Sequence, residues 1–285
     1  MPVKLKALLY LSRPKVVAWV LTVWFTYYTM SAFNTNQSIY DVLLNLIFCV
    51  LILILGCMIA LILNNYLEVN IDRLMLRTSN RPLVKGILKL GEVRTYIMLL
   101  VFLNVTLFIL YAVYNVYNSI ITLLFYMLTL TVYTIEYTPL KRKHWISSLA
   151  GALTVSSYVL HALVLAGVPW ELVLVIALCS FLWGLAHLWL IYHHWVNDYR
   201  RAKIKLSPVA SKPIFLLPLT LMLIIMLIYD YNYFLVSIIY IVALVILGLK
   251  YLSAKNTLFY KAFLILLNTM LIIIPLGGLF PAIIK

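Results

Sequence analysis

Long apolar runs, separated by short polar connectors, follow one another along almost the whole chain. A helix needs about 20 apolar residues to cross the hydrocarbon core of a bilayer. Only helices or closed barrels can cross it with every backbone group hydrogen-bonded, and the sequence lacks the alternating polarity of barrel strands. The pattern therefore predicts an all-α, polytopic membrane bundle of about nine transmembrane helices. The predicted spans are residues 16–34, 41–63, 95–113, 119–136, 146–166, 170–194, 214–229, 232–251 and 258–283.

Composition and charge agree with this interpretation. The 285 residues are 65% hydrophobic and 11% charged, which excludes an ordinary soluble domain. Of the 22 lysines and arginines, 21 fall on one side of the nine-span arrangement. Because basic connectors mark the cytoplasmic side, we expect a cytoplasmic N-terminus and an external C-terminus at Lys285. The net charge of +14 does not indicate nucleic acid, since the basic residues form no single surface stripe; the expected partner is the lipid bilayer of the cell membrane.

Three polar residues stand four positions apart where the second predicted span reaches the cytoplasmic surface. They are Asn64, Glu68 and Asp72, called the acidic ladder below. On a helix this spacing places them on nearly one face, each about 6 Å further along the axis. Carboxylate and amide oxygens, completed by phosphate oxygens of a substrate, are the ligands that Mg²⁺ prefers. The acidic ladder therefore predicts a Mg²⁺ site; the other interpretation is a helix end with ordinary solvated acids.

A basic connector follows the acidic ladder and contains Arg77 and Arg81. By itself it would indicate positive-inside signalling or a patch for lipid headgroups. Beside metal ligands it indicates a diphosphate, because guanidinium groups bind phosphate oxygens in pairs while the metal bridges others. Asp198, at the end of the sixth span, predicts a second metal position. Lys141 and Arg142 follow the fourth span and either border the same pocket or only mark the topology.

The acidic ladder resembles the N-x-x-x-D-x-x-x-D motif of the UbiA superfamily of intramembrane prenyltransferases. Its continuation, NNYLEVNIDRLMLRTSNRPLVKG, is similar to the M-x-R-T-x-x-R-P-L-V pattern of the haem O synthase branch, the protoheme IX farnesyltransferases. With nine spans, the resemblance covers essentially residues 1–285, which we treat as one transmembrane domain. Further similar stretches are SRPKVV from Ser12, YTPLKR from Tyr137, and the W-x-x-x-H-x-W spacing that begins at Trp183.

The resemblance implies an enzyme that transfers a prenyl group, with farnesyl or geranylgeranyl diphosphate as donor and haem B as acceptor. Mg²⁺ would be the cofactor, the product would be of the haem O type, and the active site would face the cytoplasm. His187 would contact the acceptor and His161 is the second candidate, although each could equally be a buried, hydrogen-bonded histidine. The implied metal ligands are Asn64, Glu68, Asp72 and Asp198. The implied diphosphate ligands are Arg77, Arg81, Tyr137, Lys141 and Arg142, and the residues expected to act in catalysis are Asp72, Asp198 and Lys141.

The chain departs from the family pattern at several positions. Glu68 replaces the usual aspartate, a family proline pair is missing after Ala152, and Gly184 and Ala186 replace a glutamine and a proline. Most of these changes fall near the expected acceptor and not near the diphosphate. Two alternatives therefore remain: a prenyltransferase that acts on a quinone precursor or a glycerophospholipid, and a non-catalytic membrane subunit or haem carrier descended from such an enzyme.

Overall fold

The computed structural model describes residues 3–32, 37–208, 214–254 and 256–283, without the side chains of residues 135–137, 229–237 and 273–283. In these ranges all regular elements are helical, as the sequence predicts. The helices are α1 (Val3–Leu11), α2 (Pro14–Ala32), α3 (Ile39–Leu67), α4 (Val69–Asp72), α5 (Leu90–Tyr114), α6 (Val116–Thr131), a π-helical segment (Val132–Tyr137), α7 (Thr138–Leu140), α8 (Ser147–Leu165), α9 (Trp170–His194), α10 (Val196–Arg201), α11 (Leu216–Ala254) and α12 (Thr257–Ile283).

Five helices in the described ranges are long and apolar enough to cross a membrane: α3, α5, α6 with its continuation to Leu140, α8 and α9. The pair α1 and α2, bent by 43°, provides a sixth candidate span. Shorter apolar helices occupy Leu216–Ile228, Ile238–Ala254 and Thr257–Ile272, where the sequence predicts the last three spans. The chain is thus a multi-helix membrane protein, while the count of nine spans stays a prediction.

Helix α11 has 39 residues, which is too long for one straight crossing. Its two ends nevertheless lie together, because a Cβ atom at Gly248 would lie 2.7 Å from Leu216 Cδ2. In a straight helix, residues this far apart in sequence would be separated by about 48 Å. The chain therefore reverses within α11, and its two arms pack side by side. This reversal fits the two separate spans predicted for residues 214–229 and 232–251.

Helices α8 and α9 form the interior of the bundle, with about two thirds of each span buried, whereas α5 and α6 lie outside. The close approach of α8 and α9 depends on small residues, because a Cβ atom at Gly184 would lie 2.8 Å from Ala152 Cα. Small residues at crossings are typical of helices that pack within a membrane. The missing side chain at Gly184 thus lets two inner helices pack backbone to backbone.

The second span differs locally from the single regular helix that the acidic ladder suggests. Helix α3 ends at Leu67, and Glu68 adopts φ −105° and ψ 9° before α4 begins. The four-residue spacing survives this interruption, because Glu68 N–H donates to the Asn64 carbonyl and Asp72 N–H donates to the Glu68 carbonyl. The three residues of the acidic ladder therefore keep their order along the axis, although α4 is a separate short helix after α3.

Candidate active site

A cavity of about 640 Å³ lies within the bundle. One end is charged and is lined by the three residues of the acidic ladder and by Arg77, Arg81 and Lys141. Apolar and aromatic side chains, including Ile52, Phe125 and Tyr126, line much of the interior. The cavity thus joins a polar end, called the charged mouth below, to a mainly apolar chamber between the helices, which suits a ligand with an anionic head and an apolar chain.

Two ion pairs hold the charged mouth together. Glu68 pairs with Lys141, and Asp72 pairs with Arg81. Both carboxylates are almost fully buried, with 2% of Glu68 and 1% of Asp72 exposed. The second oxygen of Asp72, Oδ1, is buried and has no hydrogen-bond partner in the described part of the protein. A buried, ionised oxygen without a partner is energetically costly, so this atom is suited to bind a cation.

Lys141 is buried and Arg81 is partly buried at the mouth, where positive charges are crowded. Burial lowers the pKa of Lys141, although the neighbouring Glu68 carboxylate partly raises it. Burial and the nearby charge of Arg13 lower the pKa of Arg81, while Asp72 opposes this effect. An incoming polyanion would relieve the repulsion among these cations. The electrostatics of the mouth therefore favour a bound diphosphate.

Arg77 is positioned by the segment after α9. Its backbone N–H donates to Asp198 Oδ2 at 3.0 Å, and its guanidinium donates to Tyr199 OH at 3.0 Å. The guanidinium also stacks on the rings of Tyr199 and Trp195, at 5.3 and 5.7 Å from their centroids. Asp198 further pairs with Arg201 at 3.6 Å. In this geometry Asp198 anchors the loop that carries Arg77, and its neighbour Tyr199 contributes to the cavity wall.

No group of three or more His, Cys, Asp or Glu side chains in the described ranges is arranged to hold a metal ion unaided. This is compatible with Mg²⁺, which commonly uses one or two carboxylates and takes its remaining ligands from substrate phosphates and water. Glu68, Asp72 and the amide of Asn64 are the side chains that could supply oxygens here. The unpaired Asp72 Oδ1 is the observation that fits a metal at this position.

Other predicted residues have different surroundings. Arg142 is exposed next to the buried Lys141, and the side chain of Tyr137 lies outside the described residues. Sequence reasoning missed Arg13, which lines the cavity and donates to Asn64 Oδ1 at 3.5 Å. Arg13 has a left-handed backbone, with φ of 48°, at the bend between α1 and α2. Its place directly before Pro14 in the SRPKVV stretch was the available signal.

The two histidines of the inner cavity differ in their hydrogen bonding. Trp24 Nε1 donates to His161 Nδ1 at 3.1 Å, and His161 Nε2 lies 3.0 Å from the hydroxyl of Thr122. Since that hydroxyl donates its hydrogen to the Asn118 carbonyl, it accepts from His161, which assigns the proton to Nε2. Both nitrogens of His161 are thus occupied. His187 Nδ1, in contrast, makes no hydrogen bond of normal geometry in the described part of the chain, and the His187 side chain interacts only loosely with Asn268.

Comparison with known proteins agrees with this architecture. The sequence model of the UbiA prenyltransferase family matches residues 19–273. Protoheme IX farnesyltransferase 2 of Pyrobaculum aerophilum is 29% identical over 150 residues, which are 52% of this chain and 52% of that protein. The chain spans about half the length of the curated relatives that it matches.

Solved structures extend the likeness to the whole chain. One, from work on digeranylgeranylglyceryl phosphate synthase in membranes, has a TM-score of 0.68 at 22% identity and covers 99% of both chains. Another is a UbiA homologue from Archaeoglobus fulgidus bound to GPP and Mg²⁺, with a TM-score of 0.65 at 18% identity, covering 98% of this chain and 100% of that one. At these identities the structural likeness shows only the fold. The family model, in contrast, matches most of the sequence, residues 19–273. The chain therefore belongs to the UbiA prenyltransferase family.

Proposed function

We propose that this protein transfers a prenyl group, farnesyl in the first instance, from its diphosphate to haem B with the help of Mg²⁺. The observation that carries the transferase assignment is the pair of buried ion pairs, Glu68 with Lys141 and Asp72 with Arg81, at the mouth of an apolar cavity. Carboxylates suit the metal and cations suit the diphosphate. The UbiA homologue from Archaeoglobus fulgidus was solved with GPP and Mg²⁺ bound, which supports these two ligands for the proposed site.

In this proposal the charged mouth holds the leaving group. Arg77, Arg81 and Lys141 donate hydrogen bonds to the diphosphate oxygens, and the acidic ladder together with Asp198 holds Mg²⁺. The metal supplies further positive charge to the leaving diphosphate when it is bound. The carbon–oxygen bond to the diphosphate breaks, and both electrons leave with the diphosphate. The fixed cations stabilise the charge that develops there.

The apolar interior then protects the allylic cation from water. Phe125 and Tyr126 line this part of the cavity, and aromatic faces attract cations. The vinyl group of haem B donates its electron pair to the prenyl carbon and forms the new carbon–carbon bond. Water adds to the resulting cation and loses a proton to the released diphosphate, which gives a haem O-type product. The names of the curated relatives support haem as the acceptor.

The same proposal places residues 1–285 as one domain of nine spans in the cell membrane, with the N-terminus and the charged mouth on the cytoplasmic side. It rests on the alternating basic connectors of the sequence. One observation favours another acceptor class, a glycerophospholipid precursor. It is the structural likeness to the chain solved in work on digeranylgeranylglyceryl phosphate synthase. That alternative keeps the charged mouth and changes only the acceptor.

The test is turnover by purified protein. Incubation with haem B, farnesyl diphosphate and Mg²⁺ should yield a farnesylated haem by mass spectrometry, and chelation of Mg²⁺ should abolish it. Asp72→Asn should abolish the product while the protein stays folded, because a charged ligand is lost and the shape is kept. Glu92→Gln is the matched control, since Glu92 lies at the far end of the basic connector and pairs with Lys4. Prenylation of a quinone precursor or a glyceryl phosphate without any haem product would refute the acceptor and retain the transferase.

A further inference from the structure

One wall of the cavity carries three stacked rings. Trp19 of α2 stacks on Trp183 of α9, with ring centroids 5.0 Å apart and an interplanar angle of 21°. Trp183 in turn stacks on His187 at 4.9 Å and 21°. All three residues line the cavity. Trp183 is fixed in place because its Nε1 donates to the carbonyl of Leu267 at 2.5 Å. These residues, called the ring stack below, present a rigid aromatic surface within the membrane.

The cavity that the ring stack lines also contains buried polar atoms without a regular hydrogen bond. Trp19 Nε1, His187 Nδ1, Asn268 Oδ1 and the Tyr158 hydroxyl are buried, line the same cavity, and make no hydrogen bond of normal geometry in the described part of the chain, although His187 and Asn268 are close enough to interact with each other. Buried polar atoms are nearly always paired, so unpaired ones require an explanation. The contrast within this bundle is direct, since Trp24 Nε1 and both nitrogens of His161 are paired. The four unpaired atoms come from α2, α8, α9 and α12, so they are not the product of one irregular helix.

The ring stack and the charged mouth share a continuous wall along one side of the bundle. Leu188 and Ile191 follow His187 on α9, and Tyr199 of α10 follows them at the mouth, all of them lining the cavity. His187 precedes Tyr199 by 12 residues, or about 18 Å at the rise of a helix. The charged residues lie at the mouth, whereas the ring stack offers stacking and neutral hydrogen bonds.

We propose that Trp19, Trp183, His187 and Asn268 form the binding subsite for the prenyl acceptor, and that this subsite selects a planar conjugated ring with oxygen substituents at its edge. The ring stack binds the face of such a molecule. The N–H of Trp19 donates to a carbonyl or carboxylate oxygen, and the carbonyl of Asn268 accepts from a hydroxyl group. An acyclic glyceryl acceptor has no face to stack. This inference rests on the proposed function, because it names the second substrate of the same cavity.

Binding without chemistry tests the subsite. Haem B and 4-hydroxybenzoate, two flat acceptors of different size, are titrated into purified protein in the absence of Mg²⁺ and prenyl diphosphate, and glyceryl phosphate is titrated in parallel. Absorbance reports haem, and quenching of tryptophan fluorescence reports the others. We expect at least one flat acceptor to bind and glyceryl phosphate not to bind. Binding of glyceryl phosphate alone would overturn the inference.

Single substitutions make the test specific. Trp19→Phe keeps an aromatic ring and removes the unpaired N–H, and Asn268→Leu removes the unpaired carbonyl. Each should weaken binding about three- to tenfold, as expected for one lost hydrogen bond. Because the Trp19 N–H has no partner without ligand, Trp19→Phe should leave the melting temperature of the free protein constant or raise it. Asn268→Leu also removes the contact with His187, so its melting temperature serves as the control for folding. Trp170→Phe is the matched control, since Trp170 is 64% exposed and should leave binding unchanged. Wild-type affinity in both cavity variants would overturn the subsite.

The outcome is separable from that of the proposed function. If flat acceptors bind through these residues and no prenylated product forms with any acceptor, the subsite stands and the transferase assignment fails. If farnesylated haem forms at the same rate and the same KM in wild type, Trp19→Phe and Asn268→Leu, the transferase stands and the subsite fails.

Discussion

The two ion pairs at the charged mouth predict that Mg²⁺ and diphosphate bind in a mutually dependent way. Each carboxylate that suits the metal is engaged by a cation that suits the diphosphate, Glu68 by Lys141 and Asp72 by Arg81. A ligand that binds alone meets like charge in each pair, because the metal is repelled by Lys141 and Arg81 and the diphosphate is repelled by Glu68 and Asp72. Both ligands together provide a new partner for every charge. Each should therefore bind more tightly in the presence of the other, by the same factor.

The size of this coupling follows from the geometry. Neighbouring positions of the acidic ladder are about 6 Å apart, and two unit charges at that distance interact by about 3 kcal/mol at an effective dielectric constant near 20. A divalent ion held near the Lys141 and Arg81 charges therefore meets a repulsion of several kcal/mol, part of which is relieved when the cations turn outward. Couplings between sites are typically about 1–3 kcal/mol. We expect the upper half of that range, which corresponds to a change of about thirtyfold or more in affinity.

Lys141→Met is the informative perturbation. It frees Glu68 from its counter-charge, so metal should bind more tightly in the absence of diphosphate, while diphosphate should bind more weakly. The coupling between the two should shrink. A lysine that only bound diphosphate would leave the affinity for metal alone unchanged. Lys143→Met is the matched control, because Lys143 is exposed two residues away and its loss changes the net charge equally.

The assay compares variants under identical conditions. Electron paramagnetic resonance measures the binding of Mn²⁺, a substitute for Mg²⁺, without diphosphate, and equilibrium dialysis measures labelled geranyl diphosphate with and without metal. Complex formation between metal and diphosphate in solution is the same for every variant and cancels in the comparison. Because Lys141→Met leaves Glu68 buried and uncompensated, metal should also raise the melting temperature of this variant more than that of wild type. Unchanged or weaker Mn²⁺ binding by Lys141→Met would refute the reasoning.

Three further predictions concern other parts of the molecule. Arg81→Ala should raise the KM for prenyl diphosphate about tenfold or more, since a charge-assisted hydrogen bond is lost; steady-state kinetics measures it. Gly56→Ala should lower the free energy of unfolding by about 1–3 kcal/mol, because its Cβ would lie 2.5 Å from the Tyr126 ring, whereas Gly91→Ala meets open space and should be neutral in a melting experiment. A cysteine introduced at Ser79 should react with a membrane-impermeant reagent only from the cytoplasmic side, and labelling from outside would reverse the topology.

Local physics explains how much of this protein could be predicted from the sequence. Within a bilayer every backbone group must be bonded inside its own segment, so an apolar run such as that of α3 or α9 becomes a helix whatever its neighbours are. The acidic ladder was predictable for the same reason. Its i, i+4 spacing places Asn64, Glu68 and Asp72 in order along one axis, and their order survives the interruption at Glu68. Its neighbouring arginines were visible as a basic run in the sequence.

Tertiary structure decided how these elements are combined. Lys141 follows Glu68 by 73 residues, and only the packing of the helices selects it, and not another basic residue, as the partner of that carboxylate. Similarly, the environments of His161 and His187 could not be told apart along the chain, because the hydrogen bonds that occupy His161 come from α2 and α6. Contacts between distant segments depend on side-chain shape and orientation across helices, and no local period in the sequence records them. The helices and the acidic ladder thus follow from the sequence alone, whereas the ion pairs, the different surroundings of the two histidines and the ring stack exist only in the folded bundle.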